Sequence, residues 1–191
     1  MATTVQILSG KILNYSTSAA RYCALDTGGN AQVSEAYSAG IVAKAGTLKN
    51  LRINISAAPG AGDSFIYTVY KNRSPTTLTV TIADTNNTGY DAVHEVSVVA
   101  GDYISLEITP TGSPTSSTST TFACEFHTTT NNTLLMGSSA SGTITNNYFH
   151  AIRGQLSGST TEFQTQLLIP CAGTLSDFYL RSHAAAGTDK T

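Results

Sequence analysis

The run Thr76-Thr-Leu-Thr-Val-Thr-Ile-Ala-Asp84 decides the fold: Leu78, Val80 and Ile82 alternate with Thr77, Thr79 and Thr81. A period of two places apolar side chains on one face of an extended ribbon and hydroxyls on the other, the signature of a half-buried β-strand. The alternation continues outward in both directions. Leu51, Ile53 and Ile55 share a face opposite Arg52 and Asn54, and Phe65, Tyr67 and Val69 oppose Ile66, Thr68 and Tyr70. Ile104, Leu106 and Ile108 alternate with Tyr103, Ser105 and Glu107, and Phe122, Cys124 and Phe126 end the series. Strands are predicted at 19–25, 33–43, 47–56, 64–72, 76–83, 93–100, 102–109 and 120–127.

Turn chemistry separates these runs. Asn72-Arg-Ser-Pro75 reads as a tight connection, Ala100-Gly-Asp102 as a short hairpin turn, and Ala57-Ala-Pro-Gly-Ala-Gly-Asp63 as a longer glycine-rich bend. Pro110-Thr-Gly-Ser-Pro-Thr-Ser-Ser-Thr-Ser119 lacks apolar anchors and reads as an exposed mobile loop. Eight strands with turns at this spacing predict an all-β protein. Its expected architecture is an eight-stranded antiparallel β-sandwich, a jelly roll, over residues 1–127, with a short N-terminal lead-in.

Composition agrees. Charged residues make up 12% of the 191-residue chain and hydrophobic residues 40%, which suits neither a disordered chain nor a long solvated helix. Threonine, the most frequent residue type, is β-branched and suits polar strand faces. The net charge is −2 with no Lys/Arg cluster, so no nucleic-acid partner is expected. No apolar stretch approaches the length of a membrane span, and the start lacks a basic n-region and apolar h-region; synthesis in the cytoplasm is expected. Cys23, Cys124 and Cys171 lie in strand-like runs and read as buried free thiols, a Cys23–Cys124 bridge being the alternative.

The chain repeats itself without gaps, at one constant offset that carries Gly10 onto Gly137. Ala45-Gly-Thr-Leu48 recurs as Ala172-Gly-Thr-Leu175, Ala57-Ala58-x-Gly60 as Ala184-Ala185-x-Gly187, and Ala24 and Glu35 fall on Ala151 and Glu162. Residues 147–191 thus read as a partial second β-sandwich repeat holding the first strands of a similar unit, joined by a Thr/Asn/Ser-rich linker at 128–146. Three strands with an uncovered apolar face (Phe178, Leu180, Leu167, Ile169) are poorly stable alone, so further chain or another subunit is expected to complete them.

No constellation announces chemistry. His94, His127, His150 and His183 form no spaced pair, and no nucleophile elbow, phosphate loop or dinucleotide fingerprint is present, so no enzyme activity, catalytic residue or cofactor is expected. One stretch has calcium-loop spacing. From Asp84 to Glu95, oxygen side chains stand at positions 1, 3, 5 and 12 (Asp84, Asn86, Thr88, Glu95) with Gly89 at 6, although the same residue types serve any connection between strands. Tyr67, Tyr70, Tyr90 and Tyr103 are candidates for stacking on sugar rings or for half-buried strand positions.

The run Ala45–Ser64, with Tyr67-Thr-Val-Tyr-Lys-Asn72, Leu78-Thr-Val-Thr-Ile82 and Val96-Ser-Val-Val-Ala-Gly-Asp102, resembles a recurrent β-sandwich module of tailed-phage virion proteins, often a tumour-necrosis-factor-like jelly roll. The resemblance covers about residues 10–127 with an echo in 137–191. It implies a non-enzymatic capsid decoration (cement) or head-fibre protein, commonly a trimer, contacting the major capsid protein or other virion proteins. A receptor- or glycan-binding module of a tail fibre is the competing expectation, with loops 57–63, 84–92 and 110–120 converging around Tyr90.

Overall fold

The computed structural model describes residues 4–13, 16–26, 29–115, 119–129, 137–139, 154–156 and 173–180. Its strands are β1 (Thr4–Leu13), β2 (Arg21–Cys23), β3 (Gly29–Asn30), β4 (Gly40–Ile41), β5 (Gly46–Ile55), β6 (Gly60–Lys71), β7 (Ser74–Asp84), β8 (Thr88–Val98), β9 (Tyr103–Thr111) and β10 (Ser119–Thr128). Two three-residue strands follow, β11 (Gly137–Ser139) and β12 (Gly154–Leu156).

The protein is an all-β sandwich with jelly-roll connectivity. Antiparallel ladders join β1 to β10, β2 to β9, β5 to β8 and β6 to β7, nesting as the arms of one long hairpin would. The hairpin tip is the β6–β7 turn, where Asn72 (φ 53°) and Arg73 (φ 68°) take the two left-handed positions that match strand twist. Rolling that hairpin brings β10 beside β5 and β9 beside β6. One sheet then reads β3-β1-β10-β5-β8 and the other β2-β9-β6-β7, with β4 on β9. Side chains predicted to share faces meet between the sheets: Leu51, Ile53, Phe122 and Phe126 from one, Phe65, Tyr67, Val80 and Leu106 from the other. Burying each contributes about 1.5–3 kcal/mol. Inside this apolar layer, the Tyr67 hydroxyl and Thr120 Oγ1 bridge β6 and β10 at 3.0 Å.

β5 gains an extra residue to keep its core contacts. Leu48 and Leu51 are three apart yet both point inward, because Asn50 adopts φ 55° in a bulge opposite β10. Asparagine tolerates this left-handed conformation better than most side chains.

Several expectations need correction. The lead-in is a full ten-residue strand, β1, in register with β10 along its length. Leu8 and Ile12 face inward while Val5 and Ile7 face outward, so apolar residues on both faces blur the alternation. The strand expected at 33–43 is a 3₁₀ turn at Glu35–Tyr37 followed by β4. The Ser34 side chain caps the turn by accepting from Ala36 N–H, and the buried Glu35 carboxylate accepts from Ser105 Oγ. The strand expected at 93–100 begins at Thr88, and the one at 19–25 is limited to Arg21–Cys23. Ala100-Gly-Asp102 is no hairpin turn, since it carries the chain from β8 in one sheet to β9 in the other. The stretch expected as a mobile loop at 110–119 overlaps strands only at its ends, β9 ending at Thr111 and β10 starting at Ser119; residues 116–118 lie outside the described residues. Pro110 pairs only with Phe65 on β6; its other edge lies beyond the reach of β2, so the missing N–H breaks no ladder there.

Cys23 and Cys124 are buried free thiols on opposite sheets. Burial raises the Cys124 pKa to about 12. Cys171, His150 and His183 and most of the partial repeat lie outside the described residues.

Candidate functional site

Two surfaces of the roll carry organised polar chemistry. The first is the outward face of the β3-β1-β10-β5-β8 sheet. Strand alternation sends Val5 and Ile7 out from β1, Glu125 and His127 from β10, and Lys49 and Arg52 from β5. Directly across the ladders, Ile7 pairs with Glu125, Glu125 with Lys49, and Lys49 with Glu95, which gives a band of alternating charge beside an apolar edge. The bulge turns Asn50 onto this face, where its Nδ2 donates to Glu125 Oε2 at 2.7 Å, and His127 Nε2 lies 2.6 Å from the same oxygen. Those contacts, the histidine first, hold the Glu125 carboxyl below the usual range. With the carboxylate ionised, His127 donates through Nε2, so the trio is fixed in tautomer and position.

The second surface is the end of the sandwich where β5 hands over to β6, β7 to β8 and β9 to β10. Here the chain segments of this end are tied together, although 60–63 and 88–92 of the expected loops lie in β6 and β8: Thr115 N–H donates to the Pro59 carbonyl at 2.7 Å, Ser113 N–H to Asp63 Oδ1 at 2.9 Å, and Gly62 N–H to Asp84 Oδ1 at 2.8 Å. Beside this end, Tyr90 stands 68% exposed on β8 with the Arg52 guanidinium 5.2 Å from its ring centre. Arg52, Thr81, Thr88 and Tyr90 line a shallow open groove there. The other tyrosines named as sugar platforms are committed elsewhere: Tyr67 is buried, and Tyr70 packs edge-on against Tyr22 at 5.8 Å. Tyr103 is half-buried where β9 begins.

The calcium-loop spacing does not become a cage. Asp84 ends β7 at φ 57° and receives Gly62 N–H; Asn86 turns back on the Ala83 carbonyl. Thr88 already belongs to β8, and Glu95 pairs with Lys49 seven residues farther along that strand, roughly 20 Å away. An extended strand cannot bring positions 5 and 12 of such a loop onto one ion. Among the described residues no group of three or more His, Cys, Asp and Glu side chains is placed to hold a metal.

Sequence reasoning missed Asp91. Three residues of β8, Ala92 to His94, stand opposite the single Asn50 of β5, and the buried Asp91 carboxylate closes that bulge. It accepts from Thr79, Val93 and His94 N–H at 3.0–3.1 Å and lies 2.9 Å from His94 Nδ1. Burial opposes its charge, but the four hydrogen bonds outweigh that and lower its pKa to about 2. Its role is architectural. The only trace in the sequence is an aspartate where the alternation of β8 lapses.

Together these features define a β-sandwich whose organised polar surfaces are a sheet face and a loop-bearing end. Comparison with known protein families, curated proteins and solved structures finds no match to this chain.

Proposed function

We propose that this protein is a non-enzymatic structural component of a phage virion, of the capsid decoration or head-fibre kind, working as a homotrimer on the major capsid protein or another virion protein after synthesis in the bacterial cytoplasm. The observation that carries the reading is the outward sheet face, where exposed Val5 and Ile7 border the fixed His127–Glu125–Asn50 trio. An apolar edge beside prearranged polar groups suits subunit contact: the apolar part supplies burial and the polar part sets register. The module's resemblance to phage virion sandwiches supplies the particle and the symmetry, and rests on analogy of pattern. Light scattering of purified protein at tens of micromolar is expected to give three times the 19.9 kDa chain mass. Ile7→Glu, at a side chain about half exposed in the single chain, is expected to shift that mass to one chain. A wild-type monomer that does not bind capsids overturns the reading.

A second reading, glycan binding at a fibre tip, is favoured by Tyr90 alone. One ring face meets Arg52, and Thr81 and Thr88 are among the residues that line the groove. A glycan array read with wild type and Tyr90→Ala tests it; a blank array removes it.

A further inference from the structure

The offset that relates the two halves of the sequence reappears in backbone geometry. β1 pairs in parallel with β3, Ile12 opposite Gly29. β11 pairs in parallel with β12, Ser139 opposite Leu156. The offset that carries Gly10 onto Gly137 also carries Ile12 onto Ser139 and Gly29 onto Leu156, so the same unusual parallel contact forms at the same register in a sheet of its own. The left-handed residue repeats as well: Asn50 has φ 55°, and Asp177, its counterpart at that offset, has φ 56°. Spacing explains why. Leu48, Leu51 and Ile53 recur as Leu175, Phe178 and Leu180, three and then two apart, and only an inserted left-handed residue keeps such a series on one face.

What differs is the surroundings. Leu48, Leu51 and Ile53 are 0%, 0% and 3% exposed, whereas Leu175, Phe178 and Leu180 are 68%, 81% and 84% exposed. A Cβ on Gly46 would collide with the Phe126 ring of β10, while one on Gly173 meets nothing within 4 Å. Among the described residues the segment 173–180 joins no sheet, and it touches the roll through Lys44 Nζ and Asp177 Oδ2 at 2.8 Å. Its backbone has the left-handed residue of a β5-type strand, and among the described residues no strand flanks it.

We propose that 173–180 is a docking strand for a half-roll of the β6–β10 pattern: a polypeptide bringing one apolar-alternating strand to each edge, as β10 and β8 do for β5, and a second sheet to cover Leu175, Phe178 and Leu180. The first roll names this occupant, because it shows what buries the matching residues. The inference stands independently of any role in a virion. Such strand addition gains affinity from main-chain hydrogen bonds and specificity from the alternate side chains.

The test uses the full chain with residues 65–129 appended after Thr191, the position that aligns with Ser64. Hydrogen exchange across 173–180 is expected to slow by at least a hundredfold, approaching that of 46–53, and Phe178→Asp in the extended chain is expected to reverse this without affecting 46–53. Unchanged exchange at 173–180 overturns the proposal. So does equal protection in the unextended chain, which would mean that a second copy already covers the strand. A second measurement does not depend on the extension folding. In the unextended chain, Phe178→Asp is expected to leave the thermal midpoint within about 1 °C and to reduce binding of an apolar dye; a fall of several degrees places Phe178 in a core already formed and overturns the proposal.

Discussion

At the scale of single residues, stability concentrates where a polar group is buried with its partners supplied. Asp91 is the clearest case. Its folded pKa of about 2 lies below the ordinary 3.8, so ionised Asp91 stabilises the fold above about pH 4, and this contribution is lost as pH falls through 4 toward 2. Urea denaturation of Asp91→Asn is expected to show a loss of about 1–2 kcal/mol at pH 7 that narrows toward zero near pH 2. The Tyr67–Thr120 bridge obeys the same rule without charge. Tyr67→Phe leaves the Thr120 hydroxyl buried without that contact and is expected to cost about 1–2 kcal/mol by the same measurement, at every pH. Neither role is legible in the sequence, since Asp91 closes a bulge that the order of residues does not announce and Thr120 meets Tyr67 only once the two sheets pack.

At the scale of elements, the long strands were readable because one face is buried and the other wet, which forces period-two alternation from Leu78 to Ile82 and from Ile104 to Ile108. Reading failed where that condition fails. β1 carries Val5 and Ile7 outward and Leu8 and Ile12 inward, and in the 33–43 stretch a capped turn at Glu35–Tyr37 intervenes before Val42 reaches the core. The β5 bulge was present in the spacing of Leu48, Leu51 and Ile53, yet its meaning depends on both leucines being buried together. Backbone strain there is separable from side-chain loss. Asn50→Gly and Asn50→Val both lose the Glu125 hydrogen bond, but valine must also hold φ 55°, and its variant is expected to be about 1–2 kcal/mol less stable than the glycine variant in thermal denaturation. Gly46→Ala is expected to cost a further kind of energy, overpacking against Phe126, of about 1–3 kcal/mol.

At the scale of the whole molecule, one core between two sheets encloses both described thiols. In a Cys171→Ser chain, a thiol reagent is expected to label Cys23 and Cys124 only after denaturant unfolds the protein; labelling of the native chain within minutes would show that the sandwich opens there. The all-β class, the inward residues of the central strands and the internal repeat were determined by the sequence alone, because burial of one strand face and tandem copying both leave a period in the order of residues. Strand order, the Asn50–Glu125 and Tyr67–Thr120 contacts and the outward sheet face were decided by tertiary structure. These depend on which ribbons lie side by side once the long hairpin rolls up, and contacts between residues dozens of positions apart leave no period to read.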